Sequence, residues 1–318
     1  MTNLFITILN MSLTGAFVIL ILCLVRLPLR KSPRIFLYCL WIVVGFRLVF
    51  PFSIESALSL IPFHAQPIPV DIASVSTPLP SGSPLQMWMA IGALVWLGGV
   101  LIMIVRGVVS LVRLKGKLKG VAHVEANIYE VEGLNTPFVM GVFSPKIYLP
   151  AHLSEQERQY IILHEQTHIR RGDHIVKLAA YFMLCLHWFN PLAWLAFLLM
   201  NMDMEMSCDE RVLHELGGSA EMKKDYSSAL LSLASGRRMI AGASLAFMDG
   251  DVSPRVRNVL RLKKQSYIAL GVSVLLVLTL SVGFSVNRVS AHPTSYYISS
   301  EAPPQVDPFQ KLFLCCDY

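Results

Sequence analysis

The sequence is poor in charge, because Asp, Glu, Lys and Arg together make up only 15% of its 318 residues. A soluble globular chain carries roughly a quarter of such residues, so an ordinary water-soluble protein is disfavoured. Hydrophobic residues make up 54% of the chain. This balance is typical of a protein with membrane-spanning helices.

Cysteine is also scarce, and none of the six cysteines forms a Cys-x-x-Cys pair. This absence argues against a disulfide framework and against a zinc site built from cysteines. Cys23, Cys39 and Cys185 lie in apolar segments. We therefore interpret the cysteines as small buried apolar side chains.

Four apolar segments are predicted to span a membrane as helices: 4–25, 35–52, 85–105 and 265–287. A bilayer core needs about 20 apolar residues in a helix. Arg47 interrupts the second segment near its end, and we expect its side chain to extend to the interface; pairing inside the helix bundle is the alternative. The first segment lacks a basic leader and is too long for a cleavable signal peptide, so we expect none.

Lys and Arg are absent from residues 53–86, a proline-rich connection, but are frequent in the other connections. They follow the first and third segments and precede the fourth. The positive-inside rule therefore predicts that both termini lie outside and that residues 108–264 form a cytoplasmic domain. Residues 288–318 then form a short extracytoplasmic tail. We expect the basic residues to contact anionic lipids and not to bind nucleic acid directly.

The first part of the cytoplasmic domain is predicted to form a small antiparallel sheet, because it contains three short β-prone runs. These runs are 128–131, 137–142 and 146–149, and turn residues separate them. A helix is predicted to begin at Ser154, which opens a capping-box pattern with Glu157.

The rest of the domain is predicted to be helical. The helix that begins at Ser154 is expected to end near Arg171-Gly172, where a glycine follows basic residues. Residues 175–200 are apolar and predict two helices that meet at Asn190-Pro191. Their sequence leaves open whether they enter the membrane or form the buried core of the domain.

The predicted helix carries the motif His164-Glu165-Gln166-Thr167-His168. Because His164 and His168 are four residues apart, both imidazoles lie on one helix face and can bind one Zn²⁺. Glu165 lies beside the first histidine, where it can take a proton from a zinc-bound water. The motif therefore predicts a metallopeptidase with Glu165 as its general base.

A catalytic zinc ion needs a third protein ligand, and an acidic patch follows the next apolar run. Glu205 and Asp209 share one helix face, so Glu205 is the candidate ligand, and Asp209 is the candidate acceptor for a ligating histidine. Asp203 and Glu210 are interpreted as a solvated helix face. The rival ligands are His174, which could line the cleft instead, and His187, which resembles a core histidine.

Several motifs in a fixed order resemble those of the BlaR/MecR-type membrane metallopeptidases. The matching segments are 135–141 (Asn-Thr-Pro-Phe-Val-Met-Gly), 145–150 (Pro-Lys-Ile-Tyr-Leu-Pro), 164–168, 187–191 (His-Trp-Phe-Asn-Pro) and 205–209 (Glu-Met-Ser-Cys-Asp). The resemblance implies a gluzincin zinc site with His164, His168 and Glu205 as ligands. The expected fold is thus an α-helical integral membrane protein with four transmembrane helices and a cytoplasmic α+β gluzincin-like zinc metalloprotease domain.

The resemblance also implies a signal-transducing protease that acts in antibiotic resistance by cleaving a cytoplasmic repressor, and in many cases itself. Residues 235–251 are the candidate loop for self-cleavage, with a plain connection as the alternative. The known members sense β-lactams through a penicillin-binding domain after the last span. No Ser-x-x-Lys motif follows Asn287, so β-lactam sensing by this chain is not expected. Three explanations stay open: the chain is a fragment, it is a frameshifted product, or it is a family member that responds to another trigger.

Two other functions stay open at this point. One is a general quality-control protease for membrane proteins, similar to the HtpX type. The other is a catalytically silent membrane receptor or scaffold, against which the complete set of Glu165, two histidines and a downstream acid argues. The sequence is compatible with a monomer and with a homodimer.

Overall fold

The computed structural model describes residues 2–50 without 28, 30 and 31, residues 84–235 without 117, 119, 120 and 135, residues 252–262, and the pieces 54–55, 279 and 286–287. The helices in these residues are α1 (Thr2–Val25), α2 (Arg34–Val49), α3 (Pro84–Gly116), α4 (Glu155–Arg171), α5 (Asp173–Leu186), α6 (Pro191–Glu215), α7 (Ala220–Ser235) and α8 (Ser253–Arg261). The strands are β1 (Ile54–Glu55), β2 (Val121–Glu125), β3 (Ile128–Val131), β4 (Phe138–Met140), β5 (Lys146–Pro150) and β6 (Val286–Asn287).

Two helices among the described residues are long and apolar enough to cross a membrane: Asn3–Val25 within α1 and Met87–Gly116 within α3. The helix α3 continues past the predicted end at residue 105, so Arg106, Arg113 and Lys115 lie on a helix and not in a loop. The helix α2 has only 16 residues, fewer than the roughly 20 that a bilayer core needs. The predicted fourth span, 265–287, lies almost entirely outside the described residues.

The helices α1, α2, α5 and α6 share one apolar core. Its members include Val18, Leu22, Leu37, Leu40, Val44, Leu184, Cys185, Ala196, Phe197 and Met200. Arg47 of α2 is only 4% exposed, so its side chain lies inside the protein. The expectation that it extends to the membrane interface is wrong. The first two helices therefore pack directly on the helices that continue into the predicted catalytic domain.

The helix α5 and the connection that follows it lie along α3. Trp96 of α3 donates a hydrogen bond to the carbonyl oxygen of Leu186 (2.9 Å), and Tyr181 donates one to that of Met103 (2.9 Å). Gly99 allows the Trp188 ring to approach α3 closely, since a Cβ atom there would collide with that ring. These contacts place α5 beside α3, a helix that is long and apolar enough to cross a membrane.

The four-stranded sheet has the order β2-β3-β5-β4 and is mixed. The predicted antiparallel pairing is wrong for the central pair, because β3 and β5 run parallel, and β2 is not among the predicted strands. Strand β2 is exposed at all its residues, so it lacks the alternation that identifies a half-buried strand. The inner face, with Ile128, Ile147 and Leu149, packs against Ile161 of α4.

The ends of α4 agree with the prediction. The backbone N–H of Glu157 donates to Ser154 Oγ (3.3 Å), and the backbone N–H of Ser154 donates to Glu157 Oε2 (3.1 Å), which completes the capping box. Gly172 ends the helix in the left-handed conformation (φ 70°), which glycine adopts without a steric penalty. Both ends of the helix that carries the histidines are therefore fixed locally.

Replacing Ser154 with alanine is expected to destabilise the folded domain by about 1 kcal/mol, because the N–H of Glu157 loses its acceptor. Urea unfolding of the purified chain in detergent, followed by circular dichroism, measures this cost. Ser228→Ala on α7 is the matched control, since the Ser228 hydroxyl only donates to the carbonyl oxygen of Lys224 within the same helix. Equal stability of the two variants would contradict a capping role for Ser154.

Candidate metal centre

The two histidines of the motif come together on α4, on the side that faces α6. Their Nε2 atoms are 3.1 Å apart and their ring centroids 4.7 Å apart. His164 is 7% exposed, and the His168 side chain is 12% exposed. Glu165 follows His164 on the same helix and is 9% exposed. The spacing of four residues thus produces the shared face that the sequence indicates.

Glu205 of α6 approaches the same point from the neighbouring helix. Its Oε2 atom lies 3.4 Å from His164 Nε2 and 3.6 Å from His168 Nε2. Two ligand atoms that bind a tetrahedral Zn²⁺ at about 2.0–2.1 Å are roughly 3.3 Å from each other. The three atoms therefore already have the mutual spacing that a zinc ion requires, and the donor set of two imidazoles and a carboxylate suits that ion.

The outer partners of both histidines require a proton on Nδ1, which is the tautomer that presents Nε2 to a metal ion. The Tyr226 hydroxyl donates to Asp209 Oδ1 (2.8 Å), so the contact between this hydroxyl and His164 Nδ1 (3.0 Å) requires the proton to be on Nδ1. The same holds for His168, whose Nδ1 lies 2.7 Å from Asp173 Oδ2. Such outer partners fix the tautomer of metal-binding histidines.

Asp209 lies beside His164, and the Tyr226 hydroxyl connects the two side chains. Its Oδ1 atom is 3.4 Å from His164 Nδ1, and Tyr226 bridges the two groups with shorter contacts. Sequence reasoning missed Tyr226 and Asp173. Asp173 lies five residues after His168 and is the first residue of α5. This short separation in the sequence is a signal that could have identified Asp173 as a partner of His168.

A largely enclosed arginine of α8, with a side chain 12% exposed, lies against the site. Arg255 binds both carboxylate oxygens of Asp209 (2.7 and 2.9 Å) and Oε2 of Glu205 (3.1 Å). Burial would raise the pKa of Glu205, but the Arg255 guanidinium and His168 outweigh it and hold that pKa well below its usual value. From the sequence, Arg255 is recognisable only as part of a basic segment that indicates membrane orientation.

Cys208 lies close to the same point, one helical turn after Glu205. One ligand atom from each of His164, His168 and Cys208 lies within 4.8 Å of the others. The thiol also contacts the carbonyl oxygen of His164 (3.5 Å). Burial raises the pKa of the Cys208 thiol, but the two imidazoles outweigh it and lower that pKa. Cys208 is therefore a rival to Glu205 as the third ligand.

The remaining candidates lie elsewhere. His187 is fully buried and its Nε2 atom contacts the carbonyl oxygen of Leu48 (3.0 Å), while His174 Nε2 contacts that of Val142 (3.3 Å). The interpretation of Asp203 as part of a solvated helix face is wrong, because Asp203 is fully buried. Its two carboxylate oxygens accept hydrogen bonds from Arg26 and Trp41 (2.8 Å each).

Glu210 is half-buried, so it does not belong to a freely solvated helix face either. Its carboxylate accepts hydrogen bonds from the backbone N–H of Arg34 (2.9 Å) and from the amide of Asn258 (3.0 Å). The acidic patch on α6 therefore separates into groups that hold the site and groups that bind the first two helices.

Residues 6–259 match a family model described as BlaR1 peptidase M56. The chain is 27% identical over 157 residues to the regulatory protein BlaR1 of Bacillus licheniformis; this match covers 47% of the chain and 26% of that protein. It is 26% identical over 132 residues to the methicillin resistance mecR1 protein of Staphylococcus aureus (strain Mu50 / ATCC 700699), and equally to that of Staphylococcus epidermidis. Those matches cover 40% of the chain and 23% of each relative, so the chain spans about a quarter of the length of these relatives.

Proposed function

This chain belongs to the BlaR1 peptidase M56 family, and from that membership we propose that it is a membrane-embedded zinc endopeptidase that cleaves a cytoplasmic repressor-like protein. One observation carries the proposal most directly. The Nε2 atoms of His164 and His168 and Oε2 of Glu205 lie 3.1–3.6 Å from one another, and Glu165 directly follows His164 in the sequence.

The residues around this point have distinct roles in the proposal. His164, His168 and Glu205 would hold the metal, while Tyr226, Asp209 and Asp173 orient the two imidazoles. When bound there, Zn²⁺ would supply a Lewis acid that polarises the peptide carbonyl and makes water more acidic. Arg255 holds the carboxylates of Glu205 and Asp209 in place.

Glu165 would act as the general base of the reaction. A carboxylate next to a metal-binding histidine can accept a proton from the attacking water and then deliver it to the leaving amine. This proton transfer is what separates a protease from a silent metal-binding receptor that uses the same histidines. The proposal therefore depends on Glu165 more than on any other residue.

The regulatory role is tested by a proteomic comparison of cells that carry the wild type or Glu165→Ala. We expect one cytoplasmic DNA-binding protein, and fragments of the chain itself, to be cleaved only in wild-type cells. Accumulation of many misfolded membrane proteins in the variant would instead indicate quality control. Identical protein profiles, together with no zinc in the purified chain, would contradict a protease altogether.

We further propose that α5 lies in the lipid. The support is that Ile175, Leu178 and Phe182 form an exposed apolar face on α5 (49%, 43% and 55% exposed), beside the apolar helix α3. In water such a face is unfavourable, whereas lipid covers it at no cost. The metal centre would then lie at the inner surface of the membrane.

Leu178→Asp tests this placement. If Leu178 faces lipid, the aspartate should cost about 2–3 kcal/mol, because an acidic side chain is poorly tolerated within a bilayer. Leu231→Asp is the matched control, since Leu231 of α7 is similarly exposed (51%) but belongs to the part assigned to the cytoplasm. Unfolding in mixed micelles measures both variants. Two equally small losses, within about 0.5 kcal/mol, would place α5 in water.

A further inference from the structure

The second helix reaches the metal centre through a buried carboxylate. The Tyr38 hydroxyl of α2 donates a hydrogen bond to Asp173 Oδ1 (3.1 Å), and the other oxygen, Oδ2, contacts His168 Nδ1 (2.7 Å). Asp173 is 2% exposed. Arg171 contacts Oδ2 as well (3.3 Å), and its guanidinium lies over the Tyr38 ring, 5.1 Å from the ring centroid.

Each of these groups restricts Asp173 in a different way. A carboxylate held only at Oδ2 can still rotate about its side-chain torsions, whereas a donor on Oδ1 fixes the plane in which both oxygens lie. Tyr38 supplies that donor. Since a second partner on a metal-binding histidine determines the direction of its ring, the orientation of His168 depends on a residue of α2.

The same part of α2 also bonds to the helix that carries Glu205. Trp41, one turn after Tyr38, donates a hydrogen bond to Asp203 Oδ2 (2.8 Å), and Asp203 precedes Glu205 by two residues on α6. Arg26, at the end of α1, forms an ion pair with the other oxygen of Asp203 (2.8 Å). One turn of α2 therefore contacts the supports of two ligands that come from different helices.

We propose that Tyr38 is a positioning residue for His168, so that α2 completes the metal centre from outside the motif. The proposal rests on the zinc site described under the proposed function. It follows that the position of α2 affects metal binding. A displacement of α2 withdraws the Tyr38 hydroxyl from Asp173, and His168 is then no longer held in one orientation. Metal affinity would then report the position of α2.

The test uses the full chain in nanodiscs and measures zinc affinity by chelator competition. Tyr38→Phe removes only the hydroxyl and keeps the ring under Arg171. We expect the affinity to fall about 10-fold, the lower end of the ~10–100-fold losses caused by changes in outer partners. The absorption spectrum of the Co²⁺-substituted variant should also change, because the His168 ring is no longer held in one orientation.

Tyr181→Phe is the matched control, because the Tyr181 hydroxyl also joins two helices but donates to the carbonyl oxygen of Met103, away from the metal. Its zinc affinity should equal that of the wild type. A double-mutant cycle with Asp173→Ala, which removes the acceptor of the Tyr38 hydroxyl, provides the second measurement. If Tyr38 acts through Asp173, Tyr38→Phe should have no further effect in that background.

The outcomes separate this inference from the proposed function. If the wild type binds zinc tightly and Tyr38→Phe binds it equally well with an unchanged Co²⁺ spectrum, the positioning role is refuted and the protease proposal stands. Additive losses in the double variant would also refute it. If the wild type itself binds no zinc, the proposed function fails, and the positioning role fails with it.

Discussion

Glu165→Ala is expected to lose peptide-bond cleavage while it keeps stoichiometric zinc. The loss should be about 10²–10⁴-fold in kcat, the usual contribution of a general base. Zinc should stay, because Glu165 is not among the three residues whose side-chain atoms converge on the proposed metal position. Metal analysis of the purified chain and cleavage of a fluorogenic peptide based on an identified substrate measure the two quantities.

Glu155→Ala is the matched control for this variant. Glu155 lies in the first turn of the same helix and is exposed, so the same substitution there should leave both zinc content and kcat unchanged. Glu165→Asp adds a further check, because it keeps a carboxylate but moves it back by one methylene group; partial activity is expected. Wild-type cleavage by Glu165→Ala would refute the mechanism, whereas loss of zinc in this variant would refute only the assignment of Glu165 as a pure base.

The parts of the fold that the sequence predicts well are those that depend on local interactions. The capping box at Ser154 and the glycine at 172 define α4 through contacts within a few residues of each end, and both appear as predicted. The same is true of the helix break at Asn190-Pro191, where Asn190 Oδ1 accepts from the backbone N–H of Leu192 (2.9 Å). The position of His164 and His168 on one helix face follows from helix geometry alone.

The groups that the sequence did not predict depend on contacts between distant segments. Arg255 reaches Asp209 from another helix, and Tyr38 reaches Asp173 across 135 positions of the chain. Asp203 was misjudged because a periodic pattern cannot distinguish an acid that faces water from one that faces Arg26. The parallel pairing of β3 and β5 likewise depends on the path of the chain between them, which short β-prone runs do not specify.

The identity of the third ligand gives the second large expected effect. Glu205→Ala should weaken zinc binding by more than about 100-fold, beyond the ~10–100-fold that a change in an outer partner costs. His168→Ala should lose the metal to at least the same extent. The reason is geometric: Glu205 Oε2 lies at 3.4 and 3.6 Å from the two imidazole nitrogens, which matches the spacing around one tetrahedral ion.

Cys208→Ser is the decisive companion, because one ligand atom from each of Cys208, His164 and His168 lies within 4.8 Å of the others. If Glu205 is the ligand, Cys208→Ser should keep zinc affinity within about 10-fold, the smallest loss expected even for an outer partner. The Co²⁺-substituted wild type should then lack the near-ultraviolet charge-transfer band of a cobalt–thiolate bond. A strong band that disappears in Cys208→Ser, with zinc retained by Glu205→Ala, would assign the third position to the thiolate. In that case Glu205 would be left to pair with Arg255, which it already contacts at 3.1 Å.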